Sequence, residues 1–259
     1  MITPGGQPYF LTGGPFGCLL IHNLGNNPQE MRWLGTQLNQ NGFSVLAIRL
    51  FGHATSLKDL QRARYLDWIA SMEDGFNMLQ RQCDKLIVVG ASLGSALALI
   101  AGAKHDVDAV VAISPAYDLL SYAKVMQFTP PNPIFRLLKL GKRPLQRISV
   151  FPGVSPKDKI LPQSYPAIST RTISEIDSLL EEMRRFLHRV DVPTLLIHTD
   201  LEKEVQSQAV TQILDHLKTK RVKVQKISRG ASEESLFPER ERLTGVITSF
   251  VTSLPGFQQ

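Results

Sequence analysis

Cysteine is scarce in this sequence: Cys18 and Cys83 are the two among 259 residues. Two thiols make no disulfide framework, and their placement matches no metal-ligand pattern. The fold must rest on a hydrophobic core, and a reducing, cytoplasmic setting is expected. Long apolar runs are missing too, and none reaches the length of a membrane span. The opening residues, Met1-Ile2-Thr3-Pro4-Gly5-Gly6, lack a basic segment followed by an apolar one, so no signal peptide is expected. There is no internal repeat and no nucleic-acid-binding motif. Histidine stops early: of six, the last is His216.

What is present is ordinary in bulk. Hydrophobic residues make up 43% and charged residues 20%, which suits a soluble globular chain. The length fits one α/β domain with room for an inserted subdomain. The net charge of +6 is modestly basic. The excess gathers between 124 and 171, where Lys124, Arg136, Lys139, Lys142, Arg143, Arg147, Lys157, Lys159 and Arg171 face Asp158 alone. Such a patch suits weak contact with an anionic membrane surface or an acidic substrate; a solvated surface is the plainer reading.

Strand and helix patterns alternate along the chain. Short strands are expected at 9–11, 18–22, 43–50, 85–89, 107–113, 193–198 and 221–227. Helices are expected at 28–40, 65–82, 95–101, 205–217 and 239–254. Met31, Leu34 and Leu38 recur at helical spacing behind Pro28, which suits a first helical turn. This succession predicts a mostly parallel sheet covered by helices on both faces. The stretch 115–190 breaks the rhythm. It is rich in proline and basic residues and ends in an amphipathic helix from 173 to 190, with Ser174 as its candidate cap. It reads as a lid over the C-terminal ends of the strands, where α/β sheets bind ligands. The expected division is a core of 1–114 and 191–259 with a lid at 115–190.

One pentapeptide carries the chemistry. Gly90-Ala91-Ser92-Leu93-Gly94 is a G-x-S-x-G sequence. It lies between the β-branched run Lys85-Leu86-Ile87-Val88-Val89 and the helix-favouring run Ser95-Ala96-Leu97-Ala98-Leu99. A sharp strand-to-helix turn of this kind pushes a serine hydroxyl out of the sheet, and the flanking glycines avoid a clash where strand and helix approach. The plain alternative is a Gly/Ser-rich connecting turn.

With this turn in place, the chain resembles the α/β-hydrolase superfamily, and within it the small bacterial carboxylesterase and monoacylglycerol lipase group. Leu20-Ile21-His22-Asn23-Leu24-Gly25 followed by Pro28-Gln29-Glu30-Met31 is similar to that group's strand-HGF-x-G segment. Arg49-Leu50-Phe51-Gly52-His53-Ala54-Thr55 resembles its L-P-G-H-G-T loop. Asp67-Trp68 stands where it often has W-x-D-W, and Pro193-Thr194-Leu195-Leu196-Ile197-His198 resembles its P-x-L-x-I-H-G strand. The likeness covers about 17–114 and 191–254 and is weak in the lid.

The resemblance implies an α/β-hydrolase fold and roles for particular residues. Ser92 matches the nucleophile. The backbone N–H groups of Leu24 and Leu93 match the oxyanion donors, each worth roughly 3 kcal/mol to a tetrahedral intermediate. Glu202 falls on the acid position, with Asp200 as the alternative. A short acyl ester or a monoacylglycerol is the implied substrate, with no cofactor and no metal. The sequence says nothing of oligomeric state.

Two departures stand out. Asn23 replaces a glycine, and its side chain is expected either to tolerate a left-handed backbone or to intrude. Ala231 stands at the histidine position of the turn Ser228-Arg229-Gly230-Ala231-Ser232. Chain order in this fold is serine, acid, histidine, and nothing after His216 fills the role. His53 and His22 are the candidate substitute bases, though both match positions that are usually structural. Losing the base of such a triad costs on the order of a million-fold in turnover, leaving ~10³–10⁴ over water. The two main expectations are a serine ester hydrolase and a catalytically inactive homologue that binds an acyl-type ligand or a protein partner. Acyl transfer, with the substrate supplying the base, is the third.

Overall fold

The computed structural model describes residues 1–119, 121, 144–146, 165, 167–199, 205–227 and 237–257. Asp200, Glu202 and Ala231 lie outside the described residues, as do all the basic residues of 124–171 except Arg171.

Among the described residues, seven strands form one sheet: β1 (Tyr9–Leu11), β2 (Phe16–Ile21), β3 (Ser44–Ile48), β4 (Lys85–Ala91), β5 (Ala109–Ile113), β8 (Thr194–Thr199) and β9 (Val222–Ile227). Their spatial order is β1-β3-β2-β4-β5-β8-β9. Every pairing is parallel except β1 with β3. A separate antiparallel ribbon joins β6 (Pro144–Gln146) to β7 (Ala167–Ser169). The helices are α1 (Arg32–Gln40, after a 3-10 turn at Pro28–Met31), α2 (Leu57–Arg62), α3 (Tyr65–Gln80), α4 (Leu93–Lys104), α5 (Thr170–Phe186), α6 (Val205–His216) and α7 (Phe237–Thr252). Among the described residues no helix is long and apolar enough to cross a membrane.

The sheet separates two cores, because successive strand residues point to opposite faces. On β4, Leu86 and Val88 join one cluster while Ile87 and Val89 join the other. On β2, Leu19 and Ile21 part from Cys18 and Leu20 in the same way. The first core holds the apolar faces of α3, α4, α5 and α6; the second holds those of α1 and α7. Helix α4 is buried on every side from Leu93 to Gly102, which explains why its sequence is apolar all round rather than striped.

Helix α5 differs from its expected place. Ile173, Ile176, Leu179, Leu180 and Met183 are buried in the same cluster as α3 and α4. This end of the 115–190 stretch is therefore part of the layer on the sheet. An amphipathic helix shows the same spacing whether its apolar stripe meets a cap or a sheet. Its cap is Ser169, not Ser174: Ser169 Oγ accepts from the N–H of Thr172 at 3.1 Å. Helix α2 has no counterpart in the sequence reading. Ser56 caps it, accepting from the Asp59 N–H at 3.2 Å.

The turn between β4 and α4 is set by backbone contact. A Cβ at Gly90 would overlap the Gly94 carbonyl, and one at Gly94 would overlap the carbonyl oxygen of Ile21 on the neighbouring strand. Gly94→Ala should therefore cost about 3 kcal/mol or more, the upper end for overpacking a rigid site. Urea unfolding checks this; a midpoint unchanged from the natural protein would show that the turn has slack.

Candidate active site

Ser92 sits on that turn at φ 50°, ψ −108°. A non-glycine residue in such a conformation costs on the order of 1–3 kcal/mol and is held only by its surroundings. Here the hold is specific. The Ser92 N–H donates to Ile113 O at 2.8 Å, and the Ser95 N–H donates to Ser92 O at 2.9 Å. The Ser95 hydroxyl lies 2.9 Å from Gly90 O and 2.8 Å from Ile113 O, its one proton shared between them. Strand ends on both sides of the turn are thus tied through buried Ser95, and Ser92 itself is only 7% exposed.

The loop after β2 lies alongside. The Leu24 N–H and the Leu93 N–H, the two backbone donors singled out in the sequence, point at one atom. That atom is Oδ1 of Asn23, 2.7 Å from Leu24 N and 3.3 Å from Leu93 N. Two N–H groups converging on one side-chain atom require the oxygen there, since the amide nitrogen carries hydrogens of its own. Of the two expectations for Asn23, the left-handed backbone is not observed: among the described residues the non-glycine residues with positive φ are Ala54, Ser92 and Ser114. The difference from glycine at 23 therefore lies in the side chain, and the side chain enters the space between the donors. Ala54, by contrast, holds φ 54° where the resembling loop has glycine.

The loop is pinned through its backbone. The Asn23 N–H donates to Glu30 Oε2 at 2.7 Å, and Asn26 Nδ2 donates to Glu30 Oε1. The Asn23 carbonyl accepts from Asn26 N at 3.2 Å and lies 2.8 Å from His22 Nδ1. Tyr165 ties the loop to its neighbour. Its N–H donates to Gly25 O at 3.2 Å, its hydroxyl donates to Gly52 O at 2.8 Å, and it accepts from Thr55 N at 3.1 Å.

Both candidate substitute bases are fully buried. The Leu50 N–H donates to His22 Nε2 at 3.2 Å, so the proton is on Nδ1 and goes to Asn23 O. Neither ring nitrogen is left to take a proton from Ser92. His53 has Nδ1 3.0 Å from Phe51 O, while its Nε2 has no hydrogen-bond partner among the described residues. Its ring packs on His22, Trp68 and Tyr165. Burial pushes His22 down to about 3, with His53 beside it adding to the shift. Burial likewise takes His53 down to about 4. A base must hydrogen-bond the hydroxyl it deprotonates; these two imidazoles are neutral packing elements of the loops instead.

The other histidines stand apart. His105 faces Glu73 at 3.5 Å and lies over Phe76. His216 Nδ1 lies 2.7 Å from Gln212 O within its own helix. His188 is exposed after α5, and His198 is half-buried at the end of β8.

Protonation of the buried pair has a calculable sign. In the unfolded chain both imidazoles take up protons near 6.5, whereas in the folded protein they do so only near 3 and 4. Between those values the unfolded state binds more protons, so stability is complete above about 6.5 and falls as the pH drops. Each histidine contributes a slope of up to about 1.4 kcal/mol per pH unit. Urea midpoints measured from pH 7 to pH 4 should decline, and His53→Asn should flatten the decline. An unaltered slope in that variant would mean His53 titrates normally in the fold.

Comparisons with known proteins agree with this architecture. The family described as serine aminopeptidase, S33 (Hydrolase_4), matches residues 17–231. The chain is 28% identical over 200 residues to the thermostable monoacylglycerol lipase of Bacillus sp. strain H-257, covering 77% of this chain and 75% of that protein. It is 20% identical over 225 residues to a carboxylesterase of Bacillus subtilis strain 168, covering 85% and 84%. Its fold superposes with a TM-score of 0.77, at 21% identity, on one of the metagenome-derived lipolytic enzymes LipS and LipT, covering 96% of this chain and 100% of the other. Matched from β2 to beyond β9, the chain belongs to the serine aminopeptidase S33 family and is an α/β-hydrolase of the same group as the small bacterial carboxylesterases and monoacylglycerol lipases.

Proposed function

We propose that this protein hydrolyses a carboxylic ester of the short acyl or monoacylglycerol kind through Ser92. The observation that carries the reading is the convergence of the Leu24 and Leu93 N–H groups on a single oxygen beside the strained turn of Ser92. In this reading Ser92 Oγ attacks the ester carbonyl carbon, and the carbonyl oxygen becomes an oxyanion held by the two N–H groups. Collapse breaks the ester C–O bond, and the departing alcohol takes the proton given up by the Ser92 hydroxyl; water then adds to the acyl carbon, releases the acid and returns a proton to Ser92 Oγ. Glu202, or Asp200 in its place, is the acid of the site, and Ala231 stands at the position of the base. Curated relatives named as a monoacylglycerol lipase and a carboxylesterase support the substrate class.

Without an imidazole at 231 the serine remains a neutral alcohol of high pKa. Turnover should therefore be slow, governed by the oxyanion donors and binding. A second reading has its own support. The oxygen between the donors belongs to the protein itself, and His22 and His53 are committed elsewhere. That arrangement favours a homologue that binds an acyl-type ligand without turning it over. The basic stretch of sequence between 124 and 171 would give either version weak contact with an anionic surface.

Hydrolysis of p-nitrophenyl butyrate separates the two. The ester-hydrolase reading expects slow turnover that Ser92→Ala abolishes, and a rise of at least about a hundred-fold in Ala231→His, the low end for general-base catalysis. Equal background rates in the natural protein and Ser92→Ala, with no gain in Ala231→His, would sink it in favour of the binding reading.

A further inference from the structure

The oxygen already between the two donors belongs to a carboxamide. We propose that Asn23 is a built-in competitor for this anion site, so that the site selects ligands presenting a carboxylate or oxyanion and turns away a neutral ester carbonyl in its ground state. This rests on the oxyanion role of Leu24 and Leu93 given above, but not on any nucleophilic role for Ser92.

The argument is one of relative acceptor strength. A tethered amide oxygen at 2.7 Å from Leu24 N and 3.3 Å from Leu93 N holds both donors without any loss of translational freedom. An ester carbonyl is a weaker acceptor than an amide oxygen, and it arrives from solution. A carboxylate or a developing oxyanion makes charge-assisted bonds about twice as strong as neutral ones. Displacing the competitor costs every ligand the same, so it weakens all of them alike and leaves measurable occupancy only to the strongest acceptor, a carboxylate or oxyanion.

The side chain can leave while the loop stays. The backbone N–H and carbonyl of Asn23 are engaged by Glu30, Asn26 and His22, and its φ lies outside the positive range. Displacing the side-chain oxygen from the donors breaks none of these backbone contacts. Glycine or alanine at 23 keeps every backbone contact of the loop.

The test follows the Leu24 and Leu93 amides by ¹⁵N–¹H NMR while the full chain is titrated with sodium butyrate or methyl butyrate. In the natural protein, butyrate should move both resonances and methyl butyrate neither. In Asn23→Ala both probes should move them, with butyrate binding about tenfold tighter, the equivalent of about 1.4 kcal/mol for displacing one neutral hydrogen bond. Methyl butyrate shifting both amides equally in the natural protein and in Asn23→Ala would overturn the proposal, as would butyrate moving neither amide in Asn23→Ala. Asn23→Gly serves if the alanine variant does not fold, and the charge selectivity of the natural protein is itself a test needing no variant. Repeating the titration in Ser92→Ala separates the ideas: unchanged selectivity there, beside failed ester hydrolysis, removes the hydrolase reading and leaves this one standing.

Discussion

Backbone touching backbone at the β4–α4 turn is the constraint from which the site follows. Gly94 lies against the carbonyl groups at the end of β2, and Gly90 lies against Gly94. With no side chain between them, the N-terminus of α4 and the end of β2 come close enough for Leu93 and Leu24 to present N–H groups to a common point. The same closeness fixes Ser92 in its positive-φ conformation and leaves Ser95 to bind the strand ends together. Helix α4, buried on every side from Leu93 to Gly102, then anchors the turn, packed against the strands and the helices α3 and α5.

The turn was legible in the sequence because its causes are local. Glycines two residues either side of a serine, a β-branched run before and an alanine–leucine run after all act within a dozen residues. The alternating strands were legible for the same reason. What the sequence does not reveal depends on distant partners. Asn23 offered two expectations, a tolerant backbone or an intruding side chain, and only the position of Leu93, 70 residues on, decides for the side chain. Helix α5 carries a clean amphipathic stripe, but the stripe does not say whether a cap or the sheet receives it. His22 and His53 sit on catalytic-edge loops by motif, and their withdrawal from chemistry comes from Leu50 N, Phe51 O and burial, none of which has a spacing signal.

On the β2 and β4 side of the site, the Leu24 and Leu93 N–H groups meet one oxygen, and the chemistry offered is that of paired backbone donors. The chain belongs to an α/β-hydrolase family, and the side chain of Asn23 fills the space between two backbone donors that the family resemblance leads one to expect open.

The pinned loop after β2 has a further consequence. Glu30, His22 and Tyr165 hold it from three directions, so the dipoles around the anion site are oriented by folding and not by the arriving ligand. Solvent dipoles would have to reorient about a new charge; these do not. Little reorganisation energy remains to oppose charge appearing there, because the backbone that presents the donors is already in place before any ligand arrives.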